Sequence, residues 1–310
     1  MLDILVTIVA ASICVSTPVI FASLGECISQ RSGVLNLGLE GIMLVGAIVG
    51  YTTAARTNSL STAIVYVLAT GALLGLLYAI LTITFRANQS VCGLAMVMFG
   101  SGLSGILGKN ASAIATFATF TKFDIPVLSN IPVLGEMLFH QDALTYSLYL
   151  LVPLVTWYVY RTRWGLQLQA LGENPAALDA MGLNVFAMRY IYVILGSAIV
   201  AVGGAYITLA YTPAWTDGIT AGKGWIASAI VVFAAWNPTK AALGAIFFGA
   251  IEVISLRLQS MGVAVPSYFL SMLPYIATVI VLIISTGNFG KGRKTTMPAA
   301  IGIAYDREGR

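Results

Sequence analysis

Long apolar runs separated by short polar ones limit most strongly how this chain folds. Eight runs occupy residues 4–24, 34–54, 60–85, 90–108, 143–160, 190–211, 225–256 and 266–286. A helix that spans a bilayer needs about 20 apolar residues, which most of these runs supply. The sequence therefore predicts an all-α, polytopic membrane helix bundle, a single domain over 1–310 with about eight to ten membrane helices that include one broken or re-entrant pair.

The composition excludes several other classes of protein. Only 9% of the residues are charged, whereas soluble domains contain about a quarter, so a soluble domain and a nucleic-acid-binding protein are both excluded. Cys14, Cys27 and Cys92 lie in apolar runs without C-x-x-C spacing and are interpreted as small core residues. His140 is the only histidine, which excludes a metal site built on histidines. We expect no cofactor and no metal in this chain.

The run at 225–256 is interrupted by Asn237-Pro238-Thr239-Lys240. Proline removes a backbone donor and lysine is costly at the centre of a bilayer, so this run predicts two short helices that meet at a turn. Glycine-rich stretches at 31–50 and 218–249 lie in opposite halves of the chain. Paired interruptions of this kind indicate an internal structural repeat around a site near the membrane midplane.

Basic residues predict the orientation, because cytoplasmic loops carry an excess of lysine and arginine. They bracket the loop at about 161–189 and follow the last apolar run: Arg161, Arg163, Arg189, Lys291, Arg293 and Lys294. That loop and the tail at about 287–310 are therefore placed in the cytoplasm. Counting crossings from there places the N-terminus and the segment at about 109–142 outside. We expect that external segment to hold a short helix at the outer leaflet.

Polar residues inside apolar runs are candidates for lining a path across the membrane. Asn36 and Glu40 are four residues apart, which places both on one face of a predicted helix. Glu40 has two alternative uses: a structural one, pairing with Arg31 or capping a neighbouring helix, or lining the path. Asn88 and Gln89 are either turn and capping residues or solute contacts, and Trp225 belongs either to an interfacial belt or to a surface that stacks on a cyclic solute.

Two further acidic residues lie in or next to apolar runs. Glu26 is near the end of the first run, and the sequence does not distinguish a structural use from a functional one. Glu252 precedes Arg257 in the second part of the interrupted run, so we interpret it as one side of a structural ion pair.

The polar loop contains a short helix with start and stop signals. Asn174 is suited to the N-cap, Pro175 to the first helical position and Gly182 to the end, which predicts a helix of about two turns over 175–181. The helix presents small residues such as Ala176 and Ala177. The helix is either a binding element for another subunit or an ordinary helix at the membrane interface.

Three segments resemble one family of transport proteins. The sequence ALGENPAALDAMGLN at 170–184 resembles the coupling loop of permease subunits of bacterial ABC importers, in the group that serves branched-chain amino acids, ribose and nucleosides. RSGVLNLGLEGIMLVGA at 31–47 and AGKGW at 221–225 are similar to two further signatures of that group. The similarity covers about residues 15–286 and is greatest to the nucleoside and simple-sugar permeases. Asn36 stands where sugar permeases carry an aspartate.

The resemblance implies an inner-membrane importer subunit that forms half of a path for a small polar solute, most simply a nucleoside. It implies cytoplasmic ATPase subunits that bind ATP and Mg, a second, homologous permease subunit in a heterodimer, and an external substrate-binding protein. This chain has no G-x-x-x-x-G-K-[ST] motif of its own. The residues that the resemblance assigns to ATPase coupling are Gly172, Glu173, Asn174, Pro175, Ala176, Ala177 and Gly182.

Two other functions remain open at this point. The first is a permease of the same kind that carries a simple sugar or another small solute. The second is an ion-coupled secondary transporter in which Glu26, Glu40 and Glu252 bind protons or sodium. A membrane enzyme is disfavoured, because the sequence shows no paired acid and base and no nucleophile motif.

Overall fold

The computed structural model describes residues 2–109, 111, 118–126, 128–129, 131–261, 266–289 and 297–307. These residues form a bundle of α-helices with one pair of two-residue strands, as the apolar runs predict. The α-helices are α1 (Leu2–Arg31), α2 (Leu39–Thr57), α3 (Leu60–Ala79), α4 (Gln89–Gly108), α5 (Leu134–Leu138), α6 (Ala143–Arg161), α7 (Arg163–Glu173), α8 (Pro175–Ala180), α9 (Val185–Tyr206), α10 (Lys223–Phe233), α11 (Pro238–Ser260) and α12 (Ser267–Phe289). Short π-helical segments, Ile80–Thr84 and Ile207–Tyr211, continue α3 and α9.

Six described helical segments are long and apolar enough to cross a membrane. They are Val6–Arg31, Leu60–Thr84, Gln89–Gly108, Ala143–Arg161, Val185–Tyr211 and Pro238–Ser260. Leu60–Thr84, Gln89–Gly108 and Ala143–Arg161 match apolar runs to within one residue, whereas the other three differ from theirs by five residues or more at one end. An apolar helix satisfies its own backbone groups in a medium without water. The polytopic helix bundle predicted from the sequence is confirmed.

The two ends of the bundle are distinguished by which loops they carry. The Gln141 side chain donates to the Ala10 carbonyl at 3.2 Å near the starts of α1 and α6. At the other ends of the same helices, Arg31 donates to the Tyr160 hydroxyl at 2.7 Å. We call the end that holds Arg31, α7 and α8 the α8 end, and the other the opposite end. Of the predicted basic tail, Lys291, Arg293 and Lys294 lie outside the described residues.

Helix α9 packs against α1, α2 and α3 at the centre of the bundle. Glycines make this possible, since a Cβ on Gly204 would lie 1.9 Å from the Met43 carbonyl oxygen. A Cβ on Gly25 of α1 would lie 2.3 Å from the Gly196 oxygen. Helices in contact at these positions approach through their backbones, as small residues allow in membrane bundles.

The interrupted run turns where the sequence predicts, but its two helices are unequal. α10 has 11 residues, whereas α11 has 23 and is long enough to span a membrane. The expectation of two short helices is therefore wrong for α11. The turn ends at Asn237, whose side chain caps α11 by accepting from the Lys240 amide at 3.1 Å, with Pro238 in the first turn. Lys240 lies in the first turn of α11, at the α8 end, and so avoids the bilayer centre. Its charge therefore does not prevent α11 from spanning the membrane.

The segment at 109–142 contains the expected short helix, α5, of five residues. It also contains a pair of antiparallel strands that the sequence analysis did not predict, β1 (Phe123–Asp124) and β2 (His140–Gln141). The His140 ring nitrogen Nδ1 and an Asp124 carboxylate oxygen are 2.6 Å apart across this pair. Two-residue strands carry too little alternation to be recognised from sequence.

Candidate functional site: a coupling surface and a buried helix junction

Helix α8 forms from signals within its own sequence. The Asn174 side chain accepts a hydrogen bond from the Ala177 amide at 3.2 Å, and Pro175 occupies the first turn. At the other end, Gly182 has φ of +82°, and the Leu183 amide donates to the Leu178 carbonyl at 3.1 Å. The helix predicted over 175–181 is confirmed, with its cap, its proline and its terminating glycine in the expected positions.

One face of α8 and its flanks is exposed, and because it holds residues that the sequence resemblance assigns to ATPase coupling, we name it the coupling surface. Its members are Glu173, Asn174, Ala176, Ala177, Met181 and Gly182. Met181 is 68% exposed, which gives this small surface an apolar tip. Two of the predicted coupling residues do not belong to it fully: Pro175 is half-buried, and Gly172 is buried against Arg31, where a Cβ would lie 2.3 Å from the Arg31 carbonyl oxygen.

Helix α7, which the sequence analysis did not predict, adds apolar area beside this surface. Trp164 and Leu166 are 64% and 59% exposed. The Thr162 side chain caps the helix by accepting from the Gly165 amide at 3.0 Å. Thr162 is the sequence signal from which α7 could have been predicted, since Ser, Thr, Asp and Asn mark helix starts. Exposed large apolar side chains at the end of a spanning helix contact either the membrane interface or another protein.

The buried junction lies where α2 and α10 begin. The Glu40 side chain, in the first turn of α2, is buried and accepts from the backbone amides of Gly222 at 2.8 Å and Gly224 at 2.7 Å. The Thr220 hydroxyl donates to the same carboxylate at 2.5 Å. A carboxylate is favoured at a helix N-terminus, because that end carries unsatisfied N–H groups and positive partial charge. Glu40 thus caps a neighbouring helix, α10. This is one of the two structural roles that the sequence left open for Glu40.

Asn36 does not share a helix face with Glu40, and that prediction is wrong. α2 begins at Leu39, so Asn36 lies in the non-helical segment before it. Its side chain accepts from the Gly38 amide at 2.9 Å, and its own amide donates to Glu26 at 3.1 Å. A short polar side chain competes for backbone groups in this way and favours a turn over a helix.

Asn88 and Gln89 hold the backbone where α4 begins. The Asn88 side chain caps α4 by accepting from the Val91 amide at 3.1 Å. Gln89 is buried, and its side-chain oxygen accepts from the Leu35 amide at 2.7 Å. Both acceptor oxygens are therefore engaged in fixing the chain. This arrangement corresponds to the turn and capping alternative that the sequence left open.

A cavity of 280 Å³ lies between α10, α11 and α12, next to the junction. Lys223 and Glu252 line it and form an ion pair, with Nζ 2.8 Å from each carboxylate oxygen. Glu252 therefore pairs with Lys223 of another helix rather than with Arg257. The Tyr275 hydroxyl donates to the Ala221 carbonyl at 3.0 Å on the cavity wall. Trp225, one residue beyond Gly224, is 39% exposed.

Glu26 is the least satisfied of the buried glutamates. Its Oε1 accepts from the Gln30 side chain at 2.7 Å and from the Asn36 amide. Its Oε2 has no hydrogen-bond partner in the described part of the chain. Glu26 thus fixes the segment that leads into α2 but leaves half of its carboxylate unpaired.

The described residues thus form a bundle of apolar helices long enough to span a membrane, with one exposed short helix, α8, at one end. The chain belongs to the family described as "Branched-chain amino acid transport system / permease component", whose profile matches residues 8–284. Membership of this family, together with the relatives below, makes the chain a permease subunit of ABC-transporter type.

Individual relatives support the assignment over nearly the full length. The nucleoside ABC transporter permease NupC of Lactococcus lactis is 35% identical, over 96% of each chain. The guanosine ABC transporter permease NupQ of Bacillus subtilis is 34% identical, over 98% of this chain and 97% of its own. A Haloferax volcanii protein provisionally named a glucose ABC transporter permease, TsgC13, is 34% identical over 96% of this chain and 97% of its own.

Proposed function

We propose that this chain is the transmembrane subunit of an ATP-driven importer and forms half of the path for a small polar solute. The observation that carries the coupling role is the exposed, self-capped helix α8 at one end of the bundle. An ATPase subunit receives α8, binds ATP and Mg, and drives the bundle between states open to either side. A second, homologous permease completes the path, and an external binding protein supplies the solute.

In this proposal the α8 end faces the cytoplasm. The basic residues of the described chain that lie at or near that end are Arg31, Arg86, Arg161, Arg163, Arg189, Lys240 and Arg307, whereas Arg56, Lys109, Lys122 and Arg257 lie at or near the other. The bias agrees with the excess of lysine and arginine on cytoplasmic loops. The start of α1 then lies outside, and the segment at 297–307, which contacts α7 and α8, lies inside.

The proposed solute is a nucleoside, which is uncharged and carries hydroxyls and a flat ring. The names of NupC and NupQ support this class. The cavity beside α10 supplies matching chemistry, because Lys223 and Glu252 neutralise each other and still offer polar atoms, while Tyr275 offers a ring on the cavity wall. Trp225 does not line the cavity but is 39% exposed beside it in sequence. Among the predicted path residues, Trp225 is the one whose side chain remains available for stacking.

A simple sugar is the alternative solute, and the similarity to TsgC13 is the observation that favours it. A sugar would use the same polar atoms but gain less from flat aromatic stacking. An ion-coupled transporter is less well supported by the site. Glu40 is bonded to backbone amides and Glu252 is paired with Lys223, so two of the three carboxylates that would bind ions are already engaged.

The test is uptake into vesicles that hold the reconstituted complex of both permeases and the ATPase, supplied with the binding protein. We expect labelled nucleoside to accumulate with ATP and Mg and not with a sodium or proton gradient alone. Unlabelled glucose should compete only if the sugar alternative holds. Uptake by this chain driven by an ion gradient without the ATPase would overturn the proposal.

A further inference from the structure

The C-terminal segment Met297–Arg307, which we call the strap, lies across the α8 end of the bundle. The Ala300 amide donates to the Gly172 carbonyl of α7 at 2.8 Å. The Gly302 amide donates to the Gly33 carbonyl at 3.3 Å, in the connection between α1 and α2. Ala300 is buried by this packing. The strap therefore joins the segment before α8 to the segment before α2.

Two strap side chains hold α8 from the side away from the coupling surface. The Tyr305 hydroxyl donates to the Asp179 carboxylate of α8 at 3.1 Å, and Arg307 Nε lies 2.9 Å from the same oxygen. Burial and the neighbouring Asp179 carboxylate raise the pKa of Tyr305, so its hydroxyl remains a donor. The Tyr305 ring also packs beside Phe186 at the start of α9, with centroids 5.7 Å apart.

The residue between them points to a different partner. Asp306 pairs with Arg86 at 2.7 Å, and Arg86 lies in the connection between α3 and α4 with φ of +53°. Successive side chains of an extended chain point to opposite sides. The side chains of residues 305 and 307 therefore contact α8, while that of residue 306 contacts the connection before α4. One short segment thus reaches both helices.

A buried cation, Arg189, lies beneath the strap and under the Tyr305 ring, with its Cζ 6.0 Å from the ring centroid. Arg189 of α9 is 2% exposed and donates to the Ile303 carbonyl at 3.2 Å. Its Nε and Nη2 have no hydrogen-bond partner among the described residues. Burial of a guanidinium with unfilled donors costs free energy, which offsets part of what the strap contacts contribute.

We propose that the strap is a mechanical link that carries displacement of α8 to the starts of α2 and α4, with Tyr305 and Arg307 as positioning residues. The inference rests on the proposed function, in which the ATPase moves α8. When α8 moves, its Asp179 displaces Tyr305 and Arg307 and with them the strap. The strap then displaces the α1–α2 connection at Gly33 and the α3–α4 connection at Arg86. Those two connections lead into α2, whose Glu40 caps α10, and into α4.

The test compares a Tyr305→Phe/Arg307→Ala double variant with the wild-type chain in the full reconstituted complex. Both substitutions leave the coupling surface intact. We expect the nucleoside taken up per ATP hydrolysed to fall about tenfold, the factor in an equilibrium constant that loss of a hydrogen bond to a charged group produces. Arg307→Lys, which keeps the charge, should retain most of the ratio. Tyr268→Phe in α12, at a tyrosine that is 82% exposed, is the matched control.

Three outcomes are distinguishable. An unchanged ratio of uptake to ATP hydrolysis in the double variant would overturn the link. Loss of the ATPase subunit from the purified complex would also overturn it, because the strap would then be a docking element. A wild-type complex without ATP-driven uptake would overturn the proposed function and this inference together. Thermal unfolding of each variant separates a changed ratio from a damaged fold.

Discussion

The two short helices α8 and α10 begin in contrasting ways. α8 is capped by Asn174, its own neighbour in sequence, on an exposed surface. α10 is capped by Glu40, which is 182 residues before Gly222 and buried. A helix that carries its own cap keeps that cap when it moves as a unit. A helix capped by another helix loses its cap when the two separate, so α10 and α2 are held as one body.

The contrast assigns different parts to the two regions. The coupling surface is held by local bonds and by the strap, so it is suited to displacement by a partner. The junction of α2 and α10 combines a buried carboxylate, two backbone amides and a close approach of backbones. Substitution at the junction should therefore reduce the stability of the whole bundle, whereas substitution at α8 should mainly affect coupling.

The largest expected effect is at Glu40. Glu40→Ala leaves the amides of Gly222 and Gly224 and the Thr220 hydroxyl without their acceptor, and should destabilise the chain by about 3 kcal/mol or more. Glu40→Gln should cost less, because one acceptor oxygen remains. Thermal unfolding in detergent measures the effect.

Glu26→Gln is the matched control for the glutamine variant at Glu40. The Glu26 Oε2 has no partner in the described residues, and Oε1 accepts the hydrogen bonds from Gln30 and Asn36. Glutamine keeps the acceptor oxygen for those bonds and leaves no carboxylate that could be charged there, so stability should be unchanged or higher. Equal loss of stability at Glu26 and Glu40 would contradict the distinction between them.

The next effect concerns the approach of α10 to α2. A Cβ at Gly224 would lie 2.5 Å from the Glu40 amide nitrogen, so Gly224→Ala must push the helices apart, at a cost of about 1–3 kcal/mol. Gly102 of α4 is the control, because a Cβ there meets nothing within 4 Å. Gly102→Ala should raise helix stability by up to about 1 kcal/mol. Similar unfolding temperatures for both variants would contradict the close packing.

The smallest effect on stability is expected at Asn174. Asn174→Ala removes the cap of α8, at a local cost of about 1 kcal/mol. The bundle should unfold at nearly the wild-type temperature, while substrate-stimulated ATP hydrolysis falls. Asn174→Asp keeps a capping oxygen and should retain the stimulation. A large drop in unfolding temperature for the alanine variant would show that α8 belongs to the rigid body.

The sequence is informative where structure is decided locally. The cap, proline and terminal glycine of α8 lie within nine residues of each other, from Asn174 to Gly182, so its helix could be predicted. The apolar runs likewise predict the long helices, because the bilayer requires that length. Helix α7 could have been found from Thr162.

Long-range pairing is not accessible from sequence. Proximity along the chain favours Arg257 as the partner of Glu252, but its partner is Lys223 on another helix. The spacing of Asn36 and Glu40 allows one helix, whereas the chain between Gly33 and Gly38 is not helical. Those two glycines were the available signal that the backbone departs from a helix there.

The claim that α8 couples this chain to an ATPase is tested most directly by reversing the exposed charge at Glu173. In the reconstituted complex, Glu173→Arg should abolish substrate-stimulated ATP hydrolysis, since reversed charge opposes docking, while thermal unfolding stays at the wild-type temperature. The same reversal at Glu136, exposed on α5 at the opposite end, is the control and should leave stimulation intact. Unchanged stimulation in Glu173→Arg would contradict the account.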